Sequence, residues 1–219
     1  MLMARMAAIY LAHLNPFTNT HRDIISLLLQ RDYKVYIYPV RFLKNSKEIN
    51  TRSFPFPYHI RKAMIESVFG NNKSVTVSAD YSLVSPFVRY LPPLISPYSW
   101  ILRNQILRNV REGKFITYTG DVAERITLSV FRLNPIKARR LAGSASAVKD
   151  LLYDQVISES SSNHSNDKHR PSEQNWRDKV PNGVADLINR HWHIVEKFAR
   201  SSDSTLKVIG MKIPKDGFI

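Results

Sequence analysis

Apolar and polar positions in the first eighty residues fall into blocks whose period switches between that of a strand and that of a helix. Ala7 to Leu14 is a short, mostly apolar run that reads as a buried strand. Arg22 to Arg31 follows as an amphipathic helix, with Ile24, Ile25, Leu27, Leu28 and Leu29 as its apolar positions. Lys34 to Val40 is β-branched and aromatic at its centre and predicts a second strand. Pro57 to Phe69 returns to helical spacing, with Tyr58, Ile60, Met64, Ile65 and Val68 near one face, and Gly70-Asn71-Asn72 stops it. Ser74 to Ala79 is strand three. Such a β-α-β-α-β alternation predicts a parallel sheet with crossover helices.

Beyond strand three the pattern is less regular. Arg41 to Ser53, between strand two and the second helix, reads as a polar basic loop, and the prolines between Tyr81 and Tyr98 forbid a long helix. Tyr98 to Arg111 predicts a helix, Phe115 to Thr119 a strand ended by Gly120-Asp121, Ile126 to Leu133 a further strand, and Ser144 to Tyr153 a helix. Ser158 to Asn175 is almost devoid of apolar residues and predicts a mobile insertion. Pro181 to Arg200 carries a helical stripe of Val184, Leu187, Ile188, Trp192, Val195 and Phe198. The expected organisation is one domain over residues 1–200, interrupted at 158–175, with a tail over 201–219 that either adds a short strand at Leu206 to Ile209 or trails.

Composition narrows the chemistry. The 219 residues are 43% hydrophobic, a globular proportion, and include no cysteine, which excludes disulfides, thiolate metal sites and cysteine nucleophiles. No apolar run is long enough to span a membrane, and the opening residues read as a strand rather than a signal peptide, so a cytoplasmic protein with no membrane partner is expected. The formal charge of +14 is spread along the whole chain. It suits nucleotide phosphates or a generally solvated surface, with nucleic acid as the lesser alternative.

Asn15-Pro16-Phe17-Thr18-Asn19-Thr20-His21 joins the first strand to the first helix. A turn of this kind leaves unpaired N–H groups at the helix start, and those groups favour an anion. Thr18 and Asn19 are cap-type residues, and His21 falls in the first helical turn. The plain alternative is an ordinary turn with a capped helix. His191 and His193 straddle Trp192 and cannot face one ligand, and His164 and His169 lie in the polar insertion.

Residues Asn15 to Arg22 resemble the strand-one signature of the nucleotidylyltransferase superfamily, (H/T)xGH, in the form NPxTNxH found in nicotinamide mononucleotide adenylyltransferases. Thr18 and His21 match the two motif positions, while Ala12 and Thr20 stand where glycines are usual. Phe56 to Arg61 resembles the segment that opens the helix after strand two. Tyr118-Thr119-Gly120-Asp121 looks like the end of the strand lining the adenosine side. Gly143 to Lys149 resembles the carboxy-terminal phosphate signature, with Lys149 in place of arginine and Arg139 and Arg140 just upstream. Val180 to Ile188 resembles the closing segment, so the similarity spans roughly residues 7–190 in order.

The resemblance implies an α/β fold, a Rossmann-like parallel sheet flanked by helices with a C-terminal helical segment. It implies transfer of AMP from ATP to a mononucleotide, first of all nicotinamide mononucleotide, with release of pyrophosphate. The alternatives are a cytidylyl- or other adenylyltransferase of the superfamily, or a catalytically inactive basic relative that binds nucleic acid or regulates. The implied catalytic residues are His21, Thr18 and Lys149. The implied ATP contacts are Leu14, Asn15, Phe17, Thr18, His21, Gly120, Asp121, Arg140, Ser144, Ser146 and Lys149, and His13, Tyr58 and Arg61 are expected around the second substrate. The implied partners are ATP, with Mg2+ carried on its phosphates, and a phosphorylated small molecule; homo-oligomers are implied by analogy.

Overall fold

A computed structural model describes residues 6–93, 95–119, 125, 128–129, 131–137, 145–162, 175–208 and 211–219. The first strand, β1 (Ala7–Ala12), runs into helix α1 (Asn19–Gln30), and β2 (Lys34–Pro39) follows. The expected basic loop after it contains a hairpin instead, β3 (Arg41–Lys44) and β4 (Lys47–Glu48). Helix α2 (Tyr58–Phe69) leads to β5 (Val75–Val77), and β6 (Ser82–Val84) pairs in parallel with β3. Next come α3 (Pro97–Arg108), β7 (Phe115–Thr119) and β8 (Pro135–Lys137).

Strands β5, β2, β1, β7 and β8 form the central sheet in that order, every neighbouring pair parallel. The chain leaves β1 in one direction toward β2 and β5, then crosses back to place β7 on the other side. The order therefore reverses between β1 and β7, which opens a crevice at their carboxyl ends, the usual ligand site of such sheets.

Alternation along the strands feeds two cores. Ala8 and Tyr10 of β1 pack with Ile24, Ile25 and Leu28 of α1 and Ile60, Met64 and Ile65 of α2. Ala7, Ile9 and Leu11 face the opposite core with Tyr38, Phe42, Phe87, Leu102 and Ile106. Burial on both faces is what the near-continuous apolar run of β1 requires.

Three further expectations change. Within the anticipated strand from Ile126 to Leu133, Leu128 and Ser129 are helical, as is Arg125 before it, and the next strand is β8; Ile126, Thr127 and Val130 lie outside the described residues. Leu128 and Phe131, three apart, are both buried, a spacing that a helical turn satisfies, and short apolar runs of this kind do not discriminate the two states. Helix α4 (Ala145–Ser162) extends nine residues past the expected end at Tyr153, into the polar segment, whose residues 163–174 lie outside those described. The closing helix divides at His191 into α5 (Asn182–Arg190) and α6 (Trp192–Ala199), which bury Val184 and Ile188, and Val195 and Phe198, respectively.

Residues past Ser201 form an antiparallel hairpin, β9 (Thr205–Val208) and β10 (Met211–Pro214), that buries Ile213 in the second core. Among the described residues no helix is long and apolar enough to cross a membrane.

Candidate functional site

The turn after β1 sits at the mouth of the β1/β7 crevice and is fixed from both sides. Leu14 enters it with φ at +49°, a conformation that costs a branched side chain about 1–2 kcal/mol and persists where surroundings enforce it. Asn15, only 2% exposed, donates from Nδ2 to the Phe56 carbonyl at 2.9 Å and accepts the Phe56 N–H at 3.1 Å. This pair of bonds bolts the turn to the segment before α2. Leu14 and Phe17 are buried in the core, so their side chains frame the turn from below.

Thr18 is the N-cap of α1 and forms a capping box with His21. The Thr18 backbone N–H donates to His21 Nδ1 at 3.0 Å, and Thr18 Oγ1 lies 3.1 Å from the same nitrogen. Burial pushes the His21 pKa down to about 4, so the ring is neutral at pH 7. With Nδ1 occupied as an acceptor, the proton of the neutral ring is on Nε2, and His21 is a fixed hydrogen-bond donor. Tyr10 and Phe17 flank the imidazole, with ring centroids 6.4 and 5.7 Å away.

A second group of side chains gathers beside the turn. His13 stacks on Phe54 at 4.5 Å between centroids and lies 6.1 Å from Phe42. Its pKa falls to about 3, chiefly through burial and then through the charges of Arg61 and Lys149. Arg61, 2% exposed, donates to the carbonyls of His13 at 2.8 Å and Val40 at 2.9 Å, and pairs with Glu48 at 2.7 Å. Its guanidinium therefore holds the ends of β1 and β2 together. Glu48, on the unanticipated hairpin, also accepts the Tyr58 N–H at 2.7 Å, placing a carboxylate on the positive end of α2. Arg41 lies 4.9 Å over the Tyr58 ring.

Lys149, on the second turn of α4, donates to the Ser53 carbonyl and lies 5.9 Å over the Phe54 ring. Burial, reinforced by Lys212, lowers its pKa to about 8, so it remains largely charged at neutral pH. Ser146 stands exposed one turn earlier. Gly120, Asp121, Arg140 and Ser144 lie outside the described residues. Thr18 with His21, and His13 with Arg61 and Lys149, are thus brought together around one turn. Glu48, Ser53 and Phe54 belong to the same neighbourhood and carried no sequence signal beyond the basic loop around them.

Among the described residues no three His, Asp or Glu side chains are grouped to hold a metal ion. An apolar cavity of about 110 Å³ lies on the other face of the sheet, between Leu11, Phe87, Leu102, Phe131 and Ile213, away from this polar chemistry.

The sheet is parallel in the order β5-β2-β1-β7-β8, with a Thr-x-x-His turn at its switch point. No protein-family model and no curated protein matches the chain; solved structures do. A bifunctional NMN adenylyltransferase/ADP ribose pyrophosphatase from Francisella tularensis, solved with AMP and a manganese ion, superposes with a TM-score of 0.56 at 14% identity, over 89% of this chain and 52% of that one. The chain thus spans about half the length of that protein. The nicotinic acid mononucleotide adenylyltransferase of Plasmodium falciparum, complexed with NaAD, gives 0.51 at 12% identity over 87% of this chain and 97% of its own. A Vibrio parahaemolyticus protein, nominally a nicotinate-nucleotide adenylyltransferase, gives 0.55 at 11% identity over 88% and 96%. At these identities the likeness is one of fold.

Proposed function

We propose that the chain is a nucleotidyltransferase that moves the adenylyl group of ATP onto the phosphate of a mononucleotide, nicotinamide or nicotinate mononucleotide first, releasing pyrophosphate. The observation that carries this reading is the Thr18–His21 pair at the β1/β7 switch point, where a capped helix start and a neutral imidazole locked as a donor supply what a phosphate needs.

In the reaction, a phosphate oxygen of the mononucleotide attacks the α-phosphorus of ATP as the bond to the β-phosphate oxygen breaks. The nucleophile is already ionised, so no general base is required, and the protein's task is in-line positioning and stabilisation of charge. His21 Nε2–H donates to the α-phosphate as its charge redistributes, and Thr18 holds the ring in the donating tautomer. Lys149 neutralises the departing pyrophosphate. ATP enters as its magnesium complex, an ion that keeps several waters and rides on phosphates, which suits a site whose described residues group no carboxylate cage. Asn15, Arg61 and Glu48 hold the turn in register, and His13 and Tyr58 border the acceptor nucleotide.

The test is direct. Purified protein with ATP, magnesium and either mononucleotide should yield the dinucleotide and an equal amount of pyrophosphate. Absence of pyrophosphate with any mononucleotide or phospho-alcohol overturns the reading. The charge of +14 favours one second reading, a basic nucleic-acid binder that keeps the fold; salt-sensitive binding that survives His21→Ala, with no turnover in the parent, would establish it.

A further inference from the structure

Two ammonium groups from distant parts of the chain converge on one serine. Lys149, from α4, donates to the Ser53 carbonyl, and Lys212, from β10, donates to Ser53 Oγ at 2.8 Å. Among the described residues one carboxylate lies within ion-pair distance of either ammonium. Asp203 Oδ2 lies 3.3 Å from Lys212 Nζ, yet that oxygen already accepts Ser53 Oγ at 2.7 Å and Thr205 Oγ1 at 3.0 Å, and its Oδ1 accepts the Ser53 N–H at 3.3 Å. Among the described residues Lys149 has no carboxylate within ion-pair distance, and Arg61 has its own in Glu48.

Ser53 is buried and adjoins Phe54, which stacks on His13 at the end of β1. Among the described residues two ammonium groups therefore share one ion-pairing carboxylate beside the turn that carries Thr18 and His21. The lysines differ in what they can do. Lys149 is half-buried and anchored on a carbonyl. The Lys212 side chain is 55% exposed, so its ammonium can leave the shared Asp203 for a stronger anion without unpacking the hairpin.

We propose that the C-terminal hairpin is part of the phosphate site, with Lys212 contributing a second ammonium that grips the polyphosphate of the nucleotide together with Lys149. The proposal rests on the polyphosphate substrate inferred above. A polyphosphate, with adjacent anionic groups, matches two cations fixed to two atoms of one residue, whereas a monophosphate engages one of them. Asp203 is then a stand-in anion that keeps Lys212 aimed at the site until the substrate arrives.

Calorimetric titration of the full chain with inorganic tripolyphosphate, in magnesium, separates this role from a purely structural one. Lys212→Gln should weaken binding about tenfold or more, the usual effect of deleting a charge-assisted contact, with melting temperature unchanged, and Lys212→Arg should restore most of it. Asp203→Asn, which removes the competing carboxylate, should tighten binding, and it decides the matter if Lys212→Gln proves unstable. Unchanged affinity in Lys212→Gln, unchanged or weaker affinity in Asp203→Asn, or a parent that does not bind tripolyphosphate overturns the proposal. A parent that binds tripolyphosphate through Lys212 but makes no dinucleotide leaves the proposal standing and defeats the adenylyl-transfer reading. A parent that makes dinucleotide with the same KM for ATP as Lys212→Gln does the reverse.

Discussion

His21 is held so that only one of its nitrogens is available for donation, and this makes its contribution measurable. On the proposed adenylyl transfer, His21→Ala removes a preorganised donor to the transferring group, and losses of this kind cost about 10²–10³ in turnover. kcat should fall by that order, while the melting temperature moves far less. Equal loss of folding would assign the ring to structure. The residue was legible in the sequence because the relation that fixes it is local, a capping box from Thr18 to the third helical position. Glu48, Ser53 and Lys212 were illegible for the opposite reason: each is defined by partners that the fold brings from far along the chain.

At the scale of elements, the hairpin β3–β4 is the main structure that sequence patterning passed over. Its two-residue turn, Asn45-Ser46, has φ of +49° and +61°, the conformation in which an Asn-Gly pair would have advertised it. Serine in the second place hid the signal among lysines. Ser46→Gly should therefore stabilise the protein by about 1 kcal/mol through relief of left-handed strain, seen as a higher denaturant midpoint; a lower one would mean that Ser46 makes contacts worth more than the strain. The hairpin's purpose is to deliver Glu48. Glu48→Gln leaves the nearly inaccessible Arg61 charge without its ion partner, and breaking a buried pair in this way costs about 3–5 kcal/mol. The same denaturant titration checks it, and a loss well below this range would show that the two carbonyls suffice. The split between α5 and α6 was equally hidden, because Val184, Ile188, Val195 and Phe198 continue one apolar stripe through the break at His191.

For the whole molecule, the parallel order of strands followed from the alternation of periods, since only crossover helices link parallel neighbours in so few residues. What alternation could not supply was which loops meet at the sheet's carboxyl edge. Two half-buried rings, His13 and His21, now make global stability sensitive to acid. In the unfolded chain they titrate near 6.5, but the folded protein refuses those protons until about pH 3 and 4. Stability should consequently fall as pH drops from 6.5 toward 4, by about 1.4 kcal/mol per pH unit for each ring. Melting curves across that window should show the decline, and His13→Phe, which keeps the stack on Phe54 and removes one titration, should flatten it. An unchanged slope would place the acid sensitivity elsewhere.

The Thr51–Phe54 segment ties these scales together. Arg52 donates to the carbonyls of Phe198 and Ala199 at the end of α6 and lies over the Tyr153 ring, while Ser53 takes contacts from Lys149, Asp203 and Lys212. The Ser53–Asp203 contact spans 150 residues. Loop closures of that length are slow to form, and during synthesis the segment waits for its last partners until the hairpin has emerged. The sheet can be in place well before then, so a nascent chain passes through a period in which it has its architecture and its Thr18–His21 turn but lacks the Lys212 part of its proposed phosphate site.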